Sequence, residues 1–560
     1  MNLDLVLFSA FLILSLFLGI ISSKKVTNIS EYAIGNRDFS TATMVATLIA
    51  TWVGSSFVSY GIIETYRRGI YFLIPAAIDA SLLFFIGWIF APRMGEFLGK
   101  ISIAESMGEL FGQRSRMATV AFSLIRSIGS LAVQFKVAAK IMELIFGTSG
   151  EYATIMSAVI VITYSTLGGI RAVTFTDIIQ FFTFGCVMPI ITIVVWQALG
   201  EGNGTMVWNT ITTSPLFDYK LAFNLNNPGF YEMLAMCMVF IIPEFQPTIF
   251  QRISMGSSVG QVVKSFKIAG LLCLLVQCVA IGLTILVYSD NPNVNPDDLV
   301  RYIINHYTHY DGFKGMVAVG IMAMLMSSSD SLINSISIIF AHDLCKPLKI
   351  INSKNELLIA RLASIVSGLI AIFIALKVSS ILNLMISIYG LYLPVVSIPF
   401  IFAIFGFRSS EKSVLFAMTG SLITIFLWKV LFSDSTIDSF IPGIIASIIF
   451  LFGTHYLTGQ PGGWVGIKDK EALIAIKQQR SFKLGQFFHS IINFDFVKPL
   501  EKNSPNSEVM YVYTGFFCFL SFYLNLITVN YDHTFGKFFE VAVPIVLCMA
   551  TSLFLYPVWP

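Results

Sequence analysis

The sequence predicts an all-α integral membrane protein, and composition, hydropathy pattern and charge distribution carry that prediction. Of the 560 residues, 56% are hydrophobic and only 12% are charged, which is about half the charge of an average soluble protein. Segments of about 20 apolar residues recur along the whole chain, and this is the length that an α-helix needs to cross a bilayer. The net charge of +3 is spread over many loops and gives no indication of a nucleic-acid partner, and none is predicted.

About fifteen transmembrane helices are predicted from the hydropathy pattern. The first apolar segment has no basic leader and no small-residue cleavage site, so we expect a retained helix rather than a signal peptide. The predicted spans lie near residues 3–22, 40–63, 71–91, 117–146, 152–168, 177–199, 229–251, 268–288, 315–341, 359–376, 381–405, 413–432, 440–458, 510–529 and 538–557.

Basic residues predict the orientation of these spans. Of the 35 Lys and Arg residues, 24 fall on one side when loops are assigned to alternate sides, including Arg252 after the seventh span. Loops rich in Lys and Arg stay in the cytoplasm. The sequence therefore predicts a multi-pass protein of the plasma membrane (the inner membrane in a bacterium) with its amino terminus outside.

Two of the predicted spans contain helix-breaking residues. The second span has Gly54-Ser55-Ser56 at its centre, where glycine leaves a helix at little cost. The seventh has Pro243 and Pro247, each of which removes a helical hydrogen bond. Interrupted helices in corresponding places of two halves are typical of inverted-repeat transporters, which bind substrate and ions at the breaks. The alternative is a pair of ordinary kinked membrane helices.

The ninth span carries an unusual run of polar residues, Met326 to Ser335, inside an otherwise apolar segment. A carboxylate such as Asp330 costs roughly 2.5–3.5 kcal/mol at membrane depth, so it predicts a functional site. Hydroxyl and carboxylate oxygens suit a hard cation, and neither Cys nor His occurs in the run. The sequence therefore predicts a sodium site in a transporter.

Two segments resemble signatures of the sodium:solute symporter family. Residues 164–180 resemble G-G-x-x-A-V-x-x-T-D-x-x-Q. Residues 326–343 resemble S-S-x-x-S-x-x-N-S followed by seven unspecified residues and then Asp. Taken together, the segments 51–54 and 327–330 are most similar to those of the choline-transporter-like branch of this family. The resemblance covers roughly 1–460 and implies the thirteen-helix form of the five-plus-five inverted-repeat fold, with sodium-driven alternating access.

The same resemblance implies two sodium sites with oxygen ligands. Backbone carbonyls released by a helix break, together with hydroxyls on a facing helix, are suitable ligands for sodium. The alternatives are that Ser327 and Ser328 bond their own helical carbonyls, and that Asp177 is only a helix N-terminal carboxylate. The first site would comprise Thr51, Gly54, Met324, Ser327 and Ser328, and the second Asp177, Ser327, Asp330 and Ser331.

The solute site is predicted at the two broken helices and on the fourth span. Trp52 aligns with an aromatic residue that holds quaternary ammonium groups in the choline-binding relatives, but Gln246 replaces another aromatic residue. Lys136 would meet a substrate carboxylate or else pair with Glu143 or extend to the interface. The sequence leaves three classes of solute open: an amino acid, a choline-like amine or a vitamin. The candidates are Trp52, Ser55, Ser56, Tyr60, Gln134, Lys136, Glu244, Phe245 and Gln246.

The last hundred residues differ from the thirteen-helix pattern. We expect a basic cytoplasmic linker at 461–509 and two additional transmembrane helices at 510–560, a layout that resembles the membrane region of symporter-like sensor kinases. The alternative function is therefore a membrane sensory module without its kinase, with a signalling partner at the cytoplasmic side. A channel is disfavoured because polar residues cluster at two breaks. The sequence contains no recognisable catalytic motif, so an enzyme is not predicted.

Overall fold

Helices form nearly all of the regular structure in the computed structural model, as the sequence predicts. The structure describes residues 3–22, 26–147, 150–200, 203–307, 312–352, 354–378, 381–432, 435, 438–467 and 474. The predicted linker at 461–509 lies almost wholly outside these residues, and the two predicted helices within 510–560 lie entirely outside them. These two predictions stay predictions.

The first half of the described chain contains twelve α-helices, two of which are the halves of the first broken span. In chain order they are α1 (Leu3–Ser22), α2 (Ile29–Ile34), α3 (Thr41–Trp52), α4 (Ser55–Arg68), α5 (Ile70–Phe85), α6 (Ile103–Phe111), α7 (Gln113–Phe146), α8 (Gly150–Ala198), α9 (Asn203–Thr213), α10 (Tyr219–Ala222), α11 (Pro228–Phe240) and α12 (Pro247–Ser254).

The second half of the described chain contains eight further helices and one short antiparallel strand pair. The helices are α13 (Val259–Asp290), α14 (Leu299–His306), α15 (Phe313–Ile338), α16 (Glu356–Lys377), α17 (Ile381–Tyr392), α18 (Ile398–Ile404), α19 (Glu411–Leu431) and α20 (Phe440–Leu457). The strands are β1 (Phe407–Arg408) and β2 (Gly463–Trp464), in which Phe407 pairs with Trp464.

Ten helices of the described chain are long and apolar enough to cross a membrane, and the bent pair α3–α4 makes eleven. Together with the family described below, they make this a multi-pass plasma-membrane protein. The predicted total of about fifteen is not confirmed. Each of the first thirteen predicted spans coincides with helical structure, and 152–168 and 177–199 lie on the two helical segments that meet at Gly169 within α8.

The two limbs of α8 meet at Gly169, whose backbone has φ 58° and ψ −166°. This left-handed φ favours glycine because an L side chain would be strained there. A Cβ atom at Gly169 would also lie 2.6 Å from Cδ2 of Tyr32. The kink therefore depends on contact with α2, which hydropathy does not reveal.

The centre of the molecule is α15, which packs against α1, α7, α8 and α16. Nearly all of its residues are buried, including the polar run from Ser327 to Ser335. The polar side chains therefore face other helices rather than lipid, as expected for polar groups at membrane depth. The broken helix α3–α4 packs against α15 on one side and against α13 on another.

Candidate functional site

The first helix break lies between α3 and α4, which bend by 51°. The amide of Val53 still donates to the Ile49 carbonyl (2.7 Å), but the amide of Gly54 turns back to the Trp52 carbonyl (2.9 Å). A Cβ atom at Gly54 would lie only 2.6 Å from Oγ of Ser328. The absence of a side chain at Gly54 therefore lets α15 come close to the break.

Hydroxyl groups of α15 face the end of α3 directly. Oγ of Ser327 donates to the carbonyl of Ala50 (2.7 Å) and to that of Met324 (2.9 Å), while Oγ of Ser328 donates to Met324 (3.3 Å). Thr51 on α3 lies within hydrogen-bond distance of Ser331, with 3.2 Å between the hydroxyl oxygens. The residues predicted for the first sodium site thus cluster at the break. The alternative, in which the serines bond carbonyls of their own helix, describes part of the geometry.

A second polar cluster lies beside the first and contains the carboxylates of Asp177 and Asp330, both fully buried. Oδ2 of Asp177 accepts from Thr47 on α3 (2.5 Å), and Oδ2 of Asp330 accepts from Thr176 (3.3 Å). These contacts bring three of the sequence-predicted groups of the second sodium site, Asp177, Asp330 and Ser331, to one place in the core. The site itself stays a prediction.

A guanidinium that the sequence analysis did not assign to the site enters this cluster. Arg252, which the loop assignment placed on the cytoplasmic side, is fully buried in α12. Its Nη2 donates to the hydroxyls of Ser331 (2.6 Å) and Thr51 (2.9 Å) and contacts Oδ2 of Asp177 at 3.4 Å. Arg252 therefore lies in the second half of the broken helix and not in a loop, and its position at the end of the seventh predicted span was the one available signal.

The second helix break contains an ion pair. Between α11 and α12, residues 241–246 leave the helix, and the carboxylate of Glu244 accepts two hydrogen bonds from Arg126 of α7, at 2.6 and 2.9 Å. Arg126 also donates to Oε1 of Gln246 (2.8 Å), and its guanidinium lies 4.0 Å from the ring centroid of Tyr389. With 2% of its side chain exposed, Arg126 is a buried cation at the break.

Two of the other residues predicted for the solute site pack against aromatic side chains. Phe245 is buried against Phe90 and Phe400, while its carbonyl accepts from Tyr392. Its side chain therefore belongs to an aromatic core. Tyr60 packs edge-on against Phe72 at 5.3 Å.

The remaining solute candidates lie on α3, α4 and α7. Gln134 is buried, with Nε2 only 3.5 Å from the position of a Cβ atom at Gly54, which places it next to the first break. Trp52 and Lys136 are half-buried. The side chains of Ser55 and Ser56 lie outside the described residues.

Two interrupted helices, with buried hydroxyl and carbonyl oxygens at one break and an ion pair at the other, are the arrangement expected of a solute transporter. The chain belongs to the sodium:solute symporter family, whose model matches residues 32–423. The family signatures identified in the sequence are thereby confirmed, and the protein is a sodium-coupled transporter rather than an enzyme.

Individual relatives are distant and differ in their solutes. The sodium/proline symporter 2 of Staphylococcus saprophyticus is 24% identical over 488 residues, which cover 80% of this chain and 92% of that protein. The high affinity choline transporter 1 of Homo sapiens is 24% identical over 327 residues, 56% of this chain and 55% of that protein. Equal identity to proteins named for proline and choline leaves the solute of this chain open.

A solved structure shares the fold. A Na⁺-coupled sialic acid symporter, in a substrate-bound outward-open state, superimposes with a TM-score of 0.69 at 19% sequence identity. The match covers 81% of this chain and 98% of that one. At this identity the likeness establishes the architecture, which is that of the transporter fold expected from the sequence.

Proposed function

We propose that this protein imports a small polar organic solute together with sodium, by alternating access, through a site between its two broken helices. The arrangement of oxygen atoms where α3 ends supports the sodium part of the proposal. Carbonyls of Thr51, Gly54 and Met324 and the hydroxyls of Ser327 and Ser328 are the proposed ligands. The close approach of Ser328 to Gly54 carries this assignment, because it brings α15 to the unwound backbone.

Sodium at this position would join two structural elements. Its carbonyl ligands Thr51 and Gly54 lie at the α3–α4 break, and its hydroxyl ligands lie on α15. A ligand shifts a conformational equilibrium only by binding one state better than another. We therefore propose that sodium favours the conformation in which α3 and α15 are this close, which is the conformation that completes the solute site.

The ion pair of Arg126 and Glu244 supports a solute that carries both charges. The buried pair is neutral overall, so a purely cationic or purely anionic solute would add a net charge to the core. An α-amino acid offers a carboxylate to Arg126 and an ammonium to Glu244. Among the three solute classes that the sequence leaves open, we therefore propose an amino acid. A relative named a sodium/proline symporter agrees with this chemistry.

A thermal-shift matrix on the detergent-purified protein tests the proposal. The common amino acids, choline-like amines and vitamins are crossed with sodium and potassium buffers, because a ligand of the folded state raises Tm. We expect sodium alone to stabilise the protein and one amino acid to stabilise it further only in sodium. The matched variants are Ser328→Ala, which should lose the sodium effect, and Lys140→Gln on the exposed part of α7, which should keep it. Stabilisation by an amine alone would overturn the amino-acid assignment.

The layout of 461–560 favours a second function, a membrane sensory module with a signalling partner at the cytoplasmic side. Reconstitution separates the two functions. A transporter accumulates the labelled solute inside proteoliposomes when a sodium gradient is imposed, whereas a sensory module binds the solute without accumulating it. We expect accumulation that collapses when the gradient is dissipated.

A further inference from the structure

A carboxylate that the sequence analysis did not assign to the solute site lies in the middle of the membrane helix α5. Asp79 shares one face of that helix with Phe72 and Ala76, because residues at positions i, i+4 and i+7 of an α-helix lie on the same side. Phe72 and Ala76 are buried, and the ring of Phe72 packs edge-on against Tyr60 of α4. The side of α5 that carries Asp79 therefore faces the protein interior and the first broken helix rather than lipid.

Tyr389 of α17 is a common neighbour of Asp79 and of the ion pair at the second break. Asp79 lies within electrostatic range of Tyr389 and of Tyr60. The guanidinium of Arg126 lies 4.0 Å from the centroid of the Tyr389 ring, and Glu244 is also in electrostatic range of this tyrosine. Asp79 and Tyr389 are enclosed by protein and yet partly accessible to solvent, as expected of side chains that line an internal cavity.

No cation faces Asp79 among the residues that the structure describes. Within this part of the chain, no Lys, Arg or His side chain pairs with its carboxylate and no donor bonds to it. Cys273 of α13 lies within electrostatic range, and one turn further along the same face of α13 the buried Oε1 of Gln277 has no hydrogen-bond partner either. A carboxylate at membrane depth is costly unless a positive group lies beside it. Because the described residues supply none, the solute is the available source of that positive group.

We propose that Asp79 determines the specificity of the solute site and that the solute is an amino acid with a cationic side chain, such as lysine, ornithine or arginine. This inference rests on the proposed function, in which Arg126 binds the α-carboxylate and Glu244 the α-ammonium group. The side chain of the solute then extends to Asp79, and Oε1 of Gln277 offers a further acceptor for its N–H groups.

The charges of the bound state agree with this class of solute. Two carboxylates and one guanidinium leave a single excess negative charge, which the side-chain cation of the solute neutralises. A cation beside a carboxyl group favours the charged form of that group, so the bound solute itself maintains Asp79 as a carboxylate. A simple amine would also meet Asp79, but it has no carboxylate for Arg126, whereas an amino acid with a cationic side chain engages all three protein charges.

Amino acids with and without a side-chain charge, added to the purified full-length protein in sodium buffer, test the inference. Lysine is compared with norleucine, and arginine with citrulline, by the shift in Tm. We expect at least one cationic member to stabilise the protein and its neutral counterpart to have no effect. Stabilisation by neutral amino acids alone would overturn the inference and leave the proposed function standing. Stabilisation by cadaverine, which lacks the carboxylate of lysine, without any effect of an amino acid would overturn the proposed function itself, and so would the absence of any shift.

Replacement of the carboxylate provides the converse test. Asp79→Asn keeps the shape of the side chain and removes its charge, so the affinity for the cationic amino acid should fall about a hundredfold, while the neutral counterpart should bind at least as well as before. Stabilisation by sodium alone should persist and shows that the variant is folded. Asp79→Glu should restore part of the affinity, and Asp38→Asn, at an exposed aspartate between α2 and α3, should leave it unchanged.

A folded Asp79→Asn protein with the wild-type preference for a cationic side chain would contradict the role of Asp79. If that variant does not fold, the comparison of charged and neutral amino acids on the wild type decides the class of solute.

Discussion

Arg126 and Glu244 form a two-point ion pair, with N–O distances of 2.6 and 2.9 Å, where the helix between α11 and α12 is broken. The two residues are 118 positions apart in the chain. Because the carboxylate comes from an unwound segment and the guanidinium from the continuous helix α7, the pair fixes the break against a rigid element. It also places one positive and one negative group at the proposed solute site.

Removing one partner of this pair should destabilise the protein more than removing both. An uncompensated buried charge costs about 3–5 kcal/mol, so Arg126→Gln and Glu244→Gln should each lower Tm in detergent. The double variant should recover part of the loss because no charge is left alone. Lys140→Gln, on the exposed part of the same helix, is the control and should not change Tm. A double variant less stable than both single variants would show that the pair is not coupled.

Sodium binding should weaken when a methyl group is added at Gly54. The new Cβ atom would lie 2.6 Å from Oγ of Ser328, and this hydroxyl can rotate away more easily than a backbone can move. We expect unchanged Tm in potassium but a sodium affinity lowered about tenfold, which corresponds to about 1.4 kcal/mol for a displaced ligand. Gly185→Ala in α8, where a Cβ atom meets nothing within 4 Å, is the matched control. An undiminished sodium response in Gly54→Ala would contradict the first site.

The helix breaks were predictable from sequence because their causes are local. Gly54 lies at the first break, and Pro247 begins α12 after the second. The kink at Gly169 was not predictable in the same way, since its position depends on packing against Tyr32 in another helix. Hydropathy predicts separate spans on either side of Gly169, which agrees with the two helical segments that meet there, but it does not give the position of the kink.

The polar composition of the site was also predictable, but its pairings were not. Serine and aspartate in an apolar helix indicate a site wherever they occur. Which cation faces them depends on tertiary contacts, such as the one between Arg252 and Asp177, which are 75 positions apart. A basic residue shortly after an apolar segment is ordinarily a loop residue, so the positive-inside pattern placed Arg252 in the cytoplasm.

Close packing of α13 against α5 should make Gly270 intolerant of a side chain. A Cβ atom there would lie 2.3 Å from the backbone nitrogen of Phe84, and backbone cannot rotate away. Small residues allow membrane helices to approach each other, and overpacking costs about 1–3 kcal/mol. We therefore expect Gly270→Ala to lower Tm in detergent. Gly282→Ala lies on the same helix with nothing within 4 Å of its Cβ and should leave Tm unchanged; equal Tm values for both variants would contradict this packing.

The orientation predicted from basic residues can be measured with two single cysteine substitutions. Asn226 precedes α11 and Ser257 follows α12, so these exposed residues lie at opposite ends of the broken helix. If the amino terminus is outside, Asn226→Cys should react with a membrane-impermeant maleimide in intact cells, and Ser257→Cys should react only after permeabilisation. The wild-type chain, with its seven native cysteines, gives the background. The opposite labelling pattern would show that the amino terminus is inside. The excess of Lys and Arg would then lie outside, contrary to the rule that loops rich in these residues stay in the cytoplasm.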